Sequence, residues 1–407
     1  MVYTSILTKK IKLDPCNTSL LLYICAFFGN RLGTGFDYYF LRGSFVLFVL
    51  SVFFLQIVPA VRNGDTRPMF GLFSAWFLMF WAFAYSSSFW SESIANTLSS
   101  VYITNCIQAC CIVVSVPYLY RTKEDLYKFA RLLIIAGLYC IAMLAWRTPV
   151  GAWGTERVGE AIGQNANSIG LNMAFLALVC MFSYTRKKNV VYVIALVAFA
   201  AIALFSGSRK AFVALMFGIS AVFAFSGRGW KALLGVIAAG AFCSVFYWIV
   251  IHNADLYNVL GYRLEDLING GVDKSTIERE WYRDYAFGMF LAKPLVGFGF
   301  NGFLTQMQII GYSHQAYSHC NQLEILADLG LIGFVLYYWI FAYMLKNLIA
   351  LPRESHWVKV YGVLFLLIIF GTDYGCVSFV TPDVYIFISF LWCMLETERR
   401  KCGKREN

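Results

Sequence analysis

Arginines placed between long apolar runs are the first residues in this 407-residue sequence to suggest chemistry. Arg157, Arg209, Arg279 and Arg283 fall in connections that the distribution of basic residues predicts to be extracytoplasmic, where the positive-inside rule disfavours arginine. The guanidinium is planar, permanently charged and able to bind phosphate oxygens in bidentate fashion, so these residues suit a diphosphate ligand. Taken singly, each could equally be a solvated loop charge or a contact with lipid headgroups. Arg209 is the strongest candidate because Ser206-Gly-Ser-Arg209 joins two apolar runs.

Histidine supplies a second kind of candidate. Two of the four histidines, His314 and His319, lie in one short polar segment before an apolar run. Because histidine accepts protons near neutral pH, either is a candidate general base for a hydroxyl nucleophile, and the alternative is a purely structural loop histidine. Their spacing fits no usual zinc site, and we expect neither a metal nor another cofactor. Asn321 and Glu324 follow, where they either orient the site or cap the next helix.

Membrane helices are the elements that must position these residues. The sequence is 59% hydrophobic and 14% charged, which leaves too little polar surface for a soluble protein of this length. Each apolar run can cross about 30 Å of hydrocarbon as a helix, and we predict about twelve spans in an all-α polytopic membrane protein. The runs cover residues 18–30, 43–61, 69–87, 97–118, 127–146, 166–184, 189–206, 210–225, 231–251, 326–345, 357–374 and 381–396.

The basic residues predict the orientation of these spans. They cluster in alternate connections, such as residues 186–188 and 399–405, which the positive-inside rule places in the cytoplasm together with both termini. We predict transmembrane helices 1–9 in residues 1–251, a large extracytoplasmic (periplasmic) loop at 252–325, and three helices with a cytoplasmic tail in 326–407. Residues 275–291 have helical spacing, and we predict one or two amphipathic helices in this loop, over the outer mouth of the bundle.

Other features of the sequence exclude several function classes. The net charge of +10 comes from short clusters, so nucleic acid is not an expected partner. Most of the 12 cysteines lie inside apolar runs and no CxxC pair occurs, so we interpret them as packed thiols. A GxGxxG at Gly297, Gly299 and Gly302 lacks the strand and helix context of a dinucleotide site and is interpreted as a tight turn.

Four stretches, in this order, resemble the O-antigen ligase and polymerase family of bacterial membrane glycosyltransferases. They are Glu156-Arg157-Val-Gly with Asn165-Ala-Asn167, Ser206-Gly-Ser-Arg209, the stretch from Arg279-Glu-Trp-Tyr-Arg283 to the turn at Gly299, and residues 319–333, which begin His319-Cys-Asn-Gln. The resemblance covers about residues 157–333. It departs at Cys320, because the family often has asparagine immediately after this histidine.

The resemblance implies a GT-C fold, a donor glycan on undecaprenyl diphosphate, and transfer at the outer face of the bacterial inner membrane. The diphosphate would be held without a metal by Arg157, Arg209, Arg279 and Arg283. His319, or His314 as second choice, would deprotonate the acceptor hydroxyl in an inverting displacement. Supporting roles would fall to Asn167, Ser208, Tyr317, Asn321 and Glu324.

The acceptor decides between two enzymatic functions. We favour a polymerase for O-antigen or capsular repeats, whose acceptor is another lipid-linked repeat; the alternative is a ligase that transfers the glycan to the lipid A core. Expected partners are membrane lipids, a chain-length regulator and a flippase. A secondary transporter is disfavoured because no internal repeat is found and the polar candidates lie at helix ends rather than mid-span. A noncatalytic scaffold would not require the arginines and histidine to converge.

Overall fold

The structure is a computed structural model that describes residues 14–30, 36–64, 70–225, 230–269, 274–312 and 316–403. Within these ranges the chain is helical, with short irregular connections and no β-strand. The α-helices are α1 Pro15–Gly29, α2 Phe36–Val52, α3 Val58–Arg62, α4 Leu72–Ser86, α5 Ile94–Thr97, α6 Ser100–Leu119, α7 Lys123–Arg147, α8 Ala166–Arg186, α9 Val190–Phe205, α10 Arg209–Phe225, α11 Trp230–His252, α12 Ala254–Leu256, α13 Tyr262–Ile268, α14 Lys274–Ala292, α15 Gly302–Ile309, α16 Asn321–Ala350, α17 His356–Asp373 and α18 Pro382–Gly403.

Eight helical segments in the described ranges are long and apolar enough to cross a membrane. They are Phe36–Arg62, Leu72–Phe89, Ile94–Leu119, Lys123–Arg147, Ala166–Arg186, Leu233–His252, Asn321–Ala350 and Arg353–Asp373. Two shorter apolar helices, α1 and α9, accompany them. Each of the twelve apolar runs identified in the sequence contains a helix within its described residues, because a backbone in hydrocarbon must satisfy its hydrogen bonds within the segment. The number of membrane crossings stays a prediction.

The chain forms two compact units. The smaller contains the described residues of Met1–Arg67 together with Arg131–Arg147, the last part of α7. In it, a single π-helical turn at Phe53–Ile57 joins α2 to α3. The carboxylate of Asp37, at the start of α2, accepts hydrogen bonds from both terminal nitrogens of Arg147, at 2.5 and 2.6 Å. Because this ion pair is bidentate and half-buried, it joins the first turn of α2 firmly to the end of α7.

The larger unit contains the described residues of Pro68–Ala130 and of Thr148–Asn407, and it holds all the candidate site residues that the structure describes. Its core is aromatic. Trp76 and Phe80 of α4 pack against Tyr337 of α16, with ring centroids 5.9 and 5.0 Å apart, and the indole N–H of Trp76 donates to the backbone carbonyl of Tyr337 at 3.0 Å. These contacts fix α16, and hence the segment that enters it, against the rest of the unit.

Helix α16 is interrupted at Gly330, which has a φ of 64°. The turn after α14 fills the interruption: the N–H groups of Phe298 and Gly299 donate to the carbonyls of Ala327 and Asp328, and the N–H of Leu331 donates to Pro294. Only glycine fits at Gly330, because a Cβ there would lie 2.3 Å from the carbonyl oxygen of Leu295. The glycine-rich stretch is therefore a turn, as predicted, and it docks into a broken helix.

Candidate functional site

Arg157 is held in place by three hydrogen bonds. Its Nε donates to the backbone carbonyl of Ser206 at 2.8 Å, and its terminal nitrogens donate to Glu160 at 2.8 Å and to Asn167 at 2.7 Å. A guanidinium has five N–H groups, so two remain without a partner among the described residues. Burial of the guanidinium lowers the pKa of Arg157, and the positive charge of Arg263 adds to that lowering. Arg157 is thus a rigid, pre-oriented donor.

The junction between α9 and α10 places Arg209 beside Arg157. Gly207 there has a φ of 60°, and a Cβ on it would lie 2.6 Å from the carbonyl oxygen of Val259 and 3.0 Å from Cγ of Arg157. Ser208 caps α10 by accepting from the N–H of Ala211 at 3.3 Å, and its side chain is buried. Ser208 therefore shapes the junction, and Arg209 begins the helix that follows.

A cavity of about 470 Å³ opens at this junction. It is lined by Arg157, Asn167, Gly207, Arg209, Lys210, Tyr262, Arg263, Asp266 and Arg279. Five of these side chains are cationic and one is a carboxylate. Residues from the 148–165 connection, the α9–α10 junction, α13 and α14 meet around one strongly positive space, which suits an anionic ligand.

Five of the lining residues were not among the predicted site residues: Gly207, Lys210, Tyr262, Arg263 and Asp266. Arg263 lies in the same long connection as Arg279, so the positive-inside argument that selected Arg279 applies to it equally. No sequence signal singled out Tyr262 or Asp266. They reach the cavity because α13 packs near the α9–α10 junction, as the approach of Val259 to Gly207 shows.

His319 lies immediately before α16 and has a left-handed backbone, with a φ of 59°. Its ring centroid is 4.0 Å from that of Tyr317 and 6.2 Å from that of Tyr282. Burial, together with the positive charges of Arg279, Lys210 and Arg283, lowers the pKa of His319 to about 4. The ring is therefore neutral at neutral pH. No group in the described ranges hydrogen-bonds to it, which leaves a nitrogen able to accept a proton.

The comparison with known families decides the kind of protein. Residues 194–338 match the family model described as O-antigen ligase. Over these residues the chain is similar to the O-antigen ligase/polymerase family. The matched segment contains Arg209, Arg279, Arg283 and His319, whereas Arg157 lies before it. No curated protein matches the chain.

The apolar helices indicate an integral membrane protein, and the family match supports a function of the O-antigen ligase/polymerase type. The resemblance stated from the sequence is confirmed over residues 194–338. In this O-antigen ligase segment, α9, α10, α11 and the first part of α16 are apolar helices, and the polar residues of the cavity lie between them.

The side chain of Glu324 closes the loop that contains His319. Glu324 is buried, and its Oε2 accepts the backbone N–H of Ser318 at 2.6 Å. The Ser318 hydroxyl in turn donates to the backbone carbonyl of Cys320 at 2.9 Å. Glu324 and Ser318 therefore fix the backbone on both sides of His319. A left-handed conformation at a residue other than glycine needs this kind of support.

Asn321 is fully buried and faces the neighbouring helices. Its Nδ2 donates to the Tyr338 hydroxyl at 2.9 Å and to Asp373 at 3.3 Å. Its Oδ1 accepts the backbone N–H groups of Ser378 and Phe379 at 2.8 and 3.0 Å. All of its polar atoms are engaged, so Asn321 ties the start of α16 to the α17–α18 connection.

The remaining predicted site residues, Arg283, Tyr317 and His314, do not line the cavity in the part of the chain that the structure describes. Arg283 places its guanidinium over the ring of Tyr374, 5.1 Å from the centroid, and is not among the residues that line the cavity. Tyr317 is 39% exposed beside His319, and burial of its hydroxyl raises the pKa of Tyr317 while the charge of Arg279 opposes that shift. His314 lies outside the described residues.

Proposed function

We propose that this protein is a metal-independent, inverting glycosyltransferase that joins undecaprenyl-diphosphate-linked oligosaccharide repeats, as an O-antigen or capsular polysaccharide polymerase. The observation that carries the proposal is the cavity in which Arg157, Arg209 and Arg279 converge, within electrostatic range of the neutral His319. A cation cluster beside a proton acceptor is what displacement of a diphosphate by a hydroxyl needs.

The reaction is a single displacement at the anomeric carbon of the donor sugar. The acceptor hydroxyl oxygen forms the new bond to that carbon, and the bond from the carbon to the diphosphate oxygen breaks with its electron pair leaving on the diphosphate. The hydroxyl proton passes to the imidazole of His319. Attack opposite the leaving group inverts the anomeric configuration.

Arg157, Arg209 and Arg279 stabilise the charge that grows on the leaving diphosphate. Each fixed donor in a partly dry site lowers such a barrier by about 3 kcal/mol. Arg157 is the best pre-organised of the three, because its bonds to Ser206, Glu160 and Asn167 are present before the ligand arrives. Arg283 contributes at longer range through the field it exerts on His319.

Binding of the donor prepares the base. Before binding, burial of the ring and then the positive charges of Arg279, Lys210 and Arg283 keep the pKa of His319 at about 4, where imidazole is a weak base. A bound diphosphate neutralises these charges, so the part of the lowering that they cause is removed and the pKa of His319 rises. The imidazole thus stays neutral in the free enzyme and becomes a stronger proton acceptor once the donor is in place.

The proposal also includes the orientation of the protein in the membrane and its partner proteins. The cavity faces the extracytoplasmic side of the bacterial inner membrane, both termini are cytoplasmic, and residues 252–325 form the large outer loop of a GT-C fold with twelve spans. A flippase would deliver the donor and a chain-length regulator would act on the product. The second candidate is an O-antigen ligase with a lipid A core acceptor, favoured by the description of the matching family.

Glycan length in a deletion strain tests the function. The strain carries wild type, Arg209→Ala, Arg279→Ala or His319→Ala, with membrane levels checked, and Arg353→Gln serves as an exposed arginine control remote from the cavity. A polymerase predicts that the three site variants leave single repeats on the core. Full-length polymer on the lipid carrier with bare core would instead identify a ligase, and unchanged glycan in all three would overturn the catalytic assignment.

A further inference from the structure

Three cations of the cavity wall have no carboxylate partner among the described residues. Arg157, by contrast, is paired with Glu160, and Asp266 is the one carboxylate that lines the cavity. A diphosphate that bridges a sugar and a polyprenyl chain carries about two negative charges, one on each phosphate group. Lys210, Arg263 and Arg279 make no ion pair with an aspartate or glutamate in the ranges that the structure describes.

These three cations, Lys210, Arg263 and Arg279, lie at different ends of the cavity. Arg279 and Lys210 act electrostatically on His319, together with Arg283. Arg263 acts instead on Arg157, whose pKa it lowers. Because Arg157 already pairs with Glu160, Arg263 is the cation without a carboxylate partner at this end of the cavity, and a bound anion would relieve its repulsion from Arg157. Arg263 therefore marks a part of the cavity, away from the proton acceptor, that favours an anion.

Helix α13 gives this part of the cavity the chemistry of a sugar site. Tyr262 is 45% exposed, and its ring offers a flat apolar face to the C–H groups of a pyranose. Asp266, one helical turn on, accepts hydrogen bonds from sugar hydroxyls. The Nε of Arg263 donates to the Tyr262 hydroxyl at 2.8 Å, which orients the guanidinium and leaves its terminal nitrogens for a ligand.

We propose that α13 is the sugar-binding wall of the cavity, and that Arg263 there selects a donor sugar that carries its own negative charge, a carboxylate or a phosphate substituent. This inference rests on the proposed function, because it takes the diphosphate to occupy the same cavity. Arg263 is then a specificity residue. Arg209 and Arg279 serve every donor, and Arg263 separates acidic from neutral sugars.

Binding to full-length protein in lipid nanodiscs tests the inference. The probes are a polyprenyl diphosphate without sugar and the same lipid carrying glucose, glucuronic acid or glucose 6-phosphate. We compare the Kd values for wild type, Arg263→Gln, Arg263→Lys and Arg209→Gln, with Arg353→Gln as an exposed arginine control remote from the cavity. The neutral glucosyl probe reports sugar binding, and the two anionic probes separate a carboxylate site from a phosphate site.

Wild type is expected to bind one of the anionic sugar probes about tenfold more tightly than the glucosyl probe, because Arg263 makes a charge-assisted bidentate contact with the anionic group. Arg263→Gln should abolish that ratio and leave the Kd for sugar-free lipid unchanged, with Arg263→Lys intermediate. Arg209→Gln should weaken all four probes together. Equal wild-type affinity for neutral and anionic sugars, or a preference that survives Arg263→Gln, would overturn the inference. Failure of the sugar-free lipid to bind would instead count against the proposed function.

Discussion

The backbone N–H of Ser318 donates to a carboxylate oxygen of Glu324 at 2.6 Å, and this bond closes the loop in which His319 takes a left-handed conformation. Glu324 lies in the first turn of α16, so the helix that follows His319 also fixes the backbone that leads into it. The acid therefore serves as a positioning residue: it acts on the backbone next to the proton acceptor.

Replacing Glu324 tests this role. Glu324→Ala removes the acceptor for the Ser318 N–H and should lower kcat roughly 100-fold, because a displacement of about 1 Å at a catalytic group costs that much. Glu324→Gln keeps an acceptor oxygen and should retain most of the activity. Donor KM should change little in either variant. Equal loss in both variants, measured at matched membrane levels, would show that the negative charge and not the loop geometry matters.

Arg157→Lys should raise the donor KM about tenfold while the protein stays folded. Lysine keeps the charge, but it cannot donate simultaneously to Ser206, Glu160 and Asn167 and still face the cavity. Asn167→Ala removes only one of these partners and should have a smaller effect of the same kind. Steady-state kinetics with varied donor checks the order of the two effects, and an unchanged KM in Arg157→Lys would remove Arg157 from the donor site.

Gly207→Ala should destabilise the larger unit and abolish activity. The new Cβ would lie 2.6 Å from the carbonyl oxygen of Val259, and alanine must also adopt a φ of 60°, which costs about 1–2 kcal/mol by itself. Gly163→Ala is the matched control, because Gly163 has a φ of 71° and nothing within 4 Å of its Cβ position. Thermal unfolding should show a larger fall in Tm for Gly207→Ala, and equal falls would mean that the contact with Val259 contributes nothing.

The pH dependence of turnover should report the lowered pKa of His319. The active form is the neutral imidazole, so kcat/KM should be flat near neutral pH and fall as the pH drops through about 4. Arg283→Gln removes one of the charges that lower this pKa, and its acid limb should move to higher pH. In kcat, which reports the donor complex, the limb should also lie higher. An acid limb at the same pH in Arg283→Gln and in wild type would show that the limb does not report the pKa of His319.

The local features of the fold followed from the sequence. Twelve apolar runs predicted twelve helical stretches because hydrocarbon forces each run to bond within itself, and α14 at Lys274–Ala292 matches the amphipathic helix predicted at 275–291. Glycines at 297, 299 and 302 signalled a turn through their conformational freedom, and the turn is present. The interruption of α16 at Gly330 was not predicted, since it depends on the carbonyl of Leu295 from another segment.

The sequence by itself selected Arg157, Arg209, Arg279 and His319, because residue type and position relative to the apolar runs can be read directly from it. The tertiary structure alone decided which of them share a cavity: Arg157, Arg209 and Arg279 line it, and Arg263, Lys210 and Asp266 join them. It also turned Asn321 inward to Asp373 and Ser378. The cavity forms by packing between segments that are distant in the sequence: Arg157 is 52 residues from Arg209 and 122 from Arg279. The type of a side chain does not predict that packing.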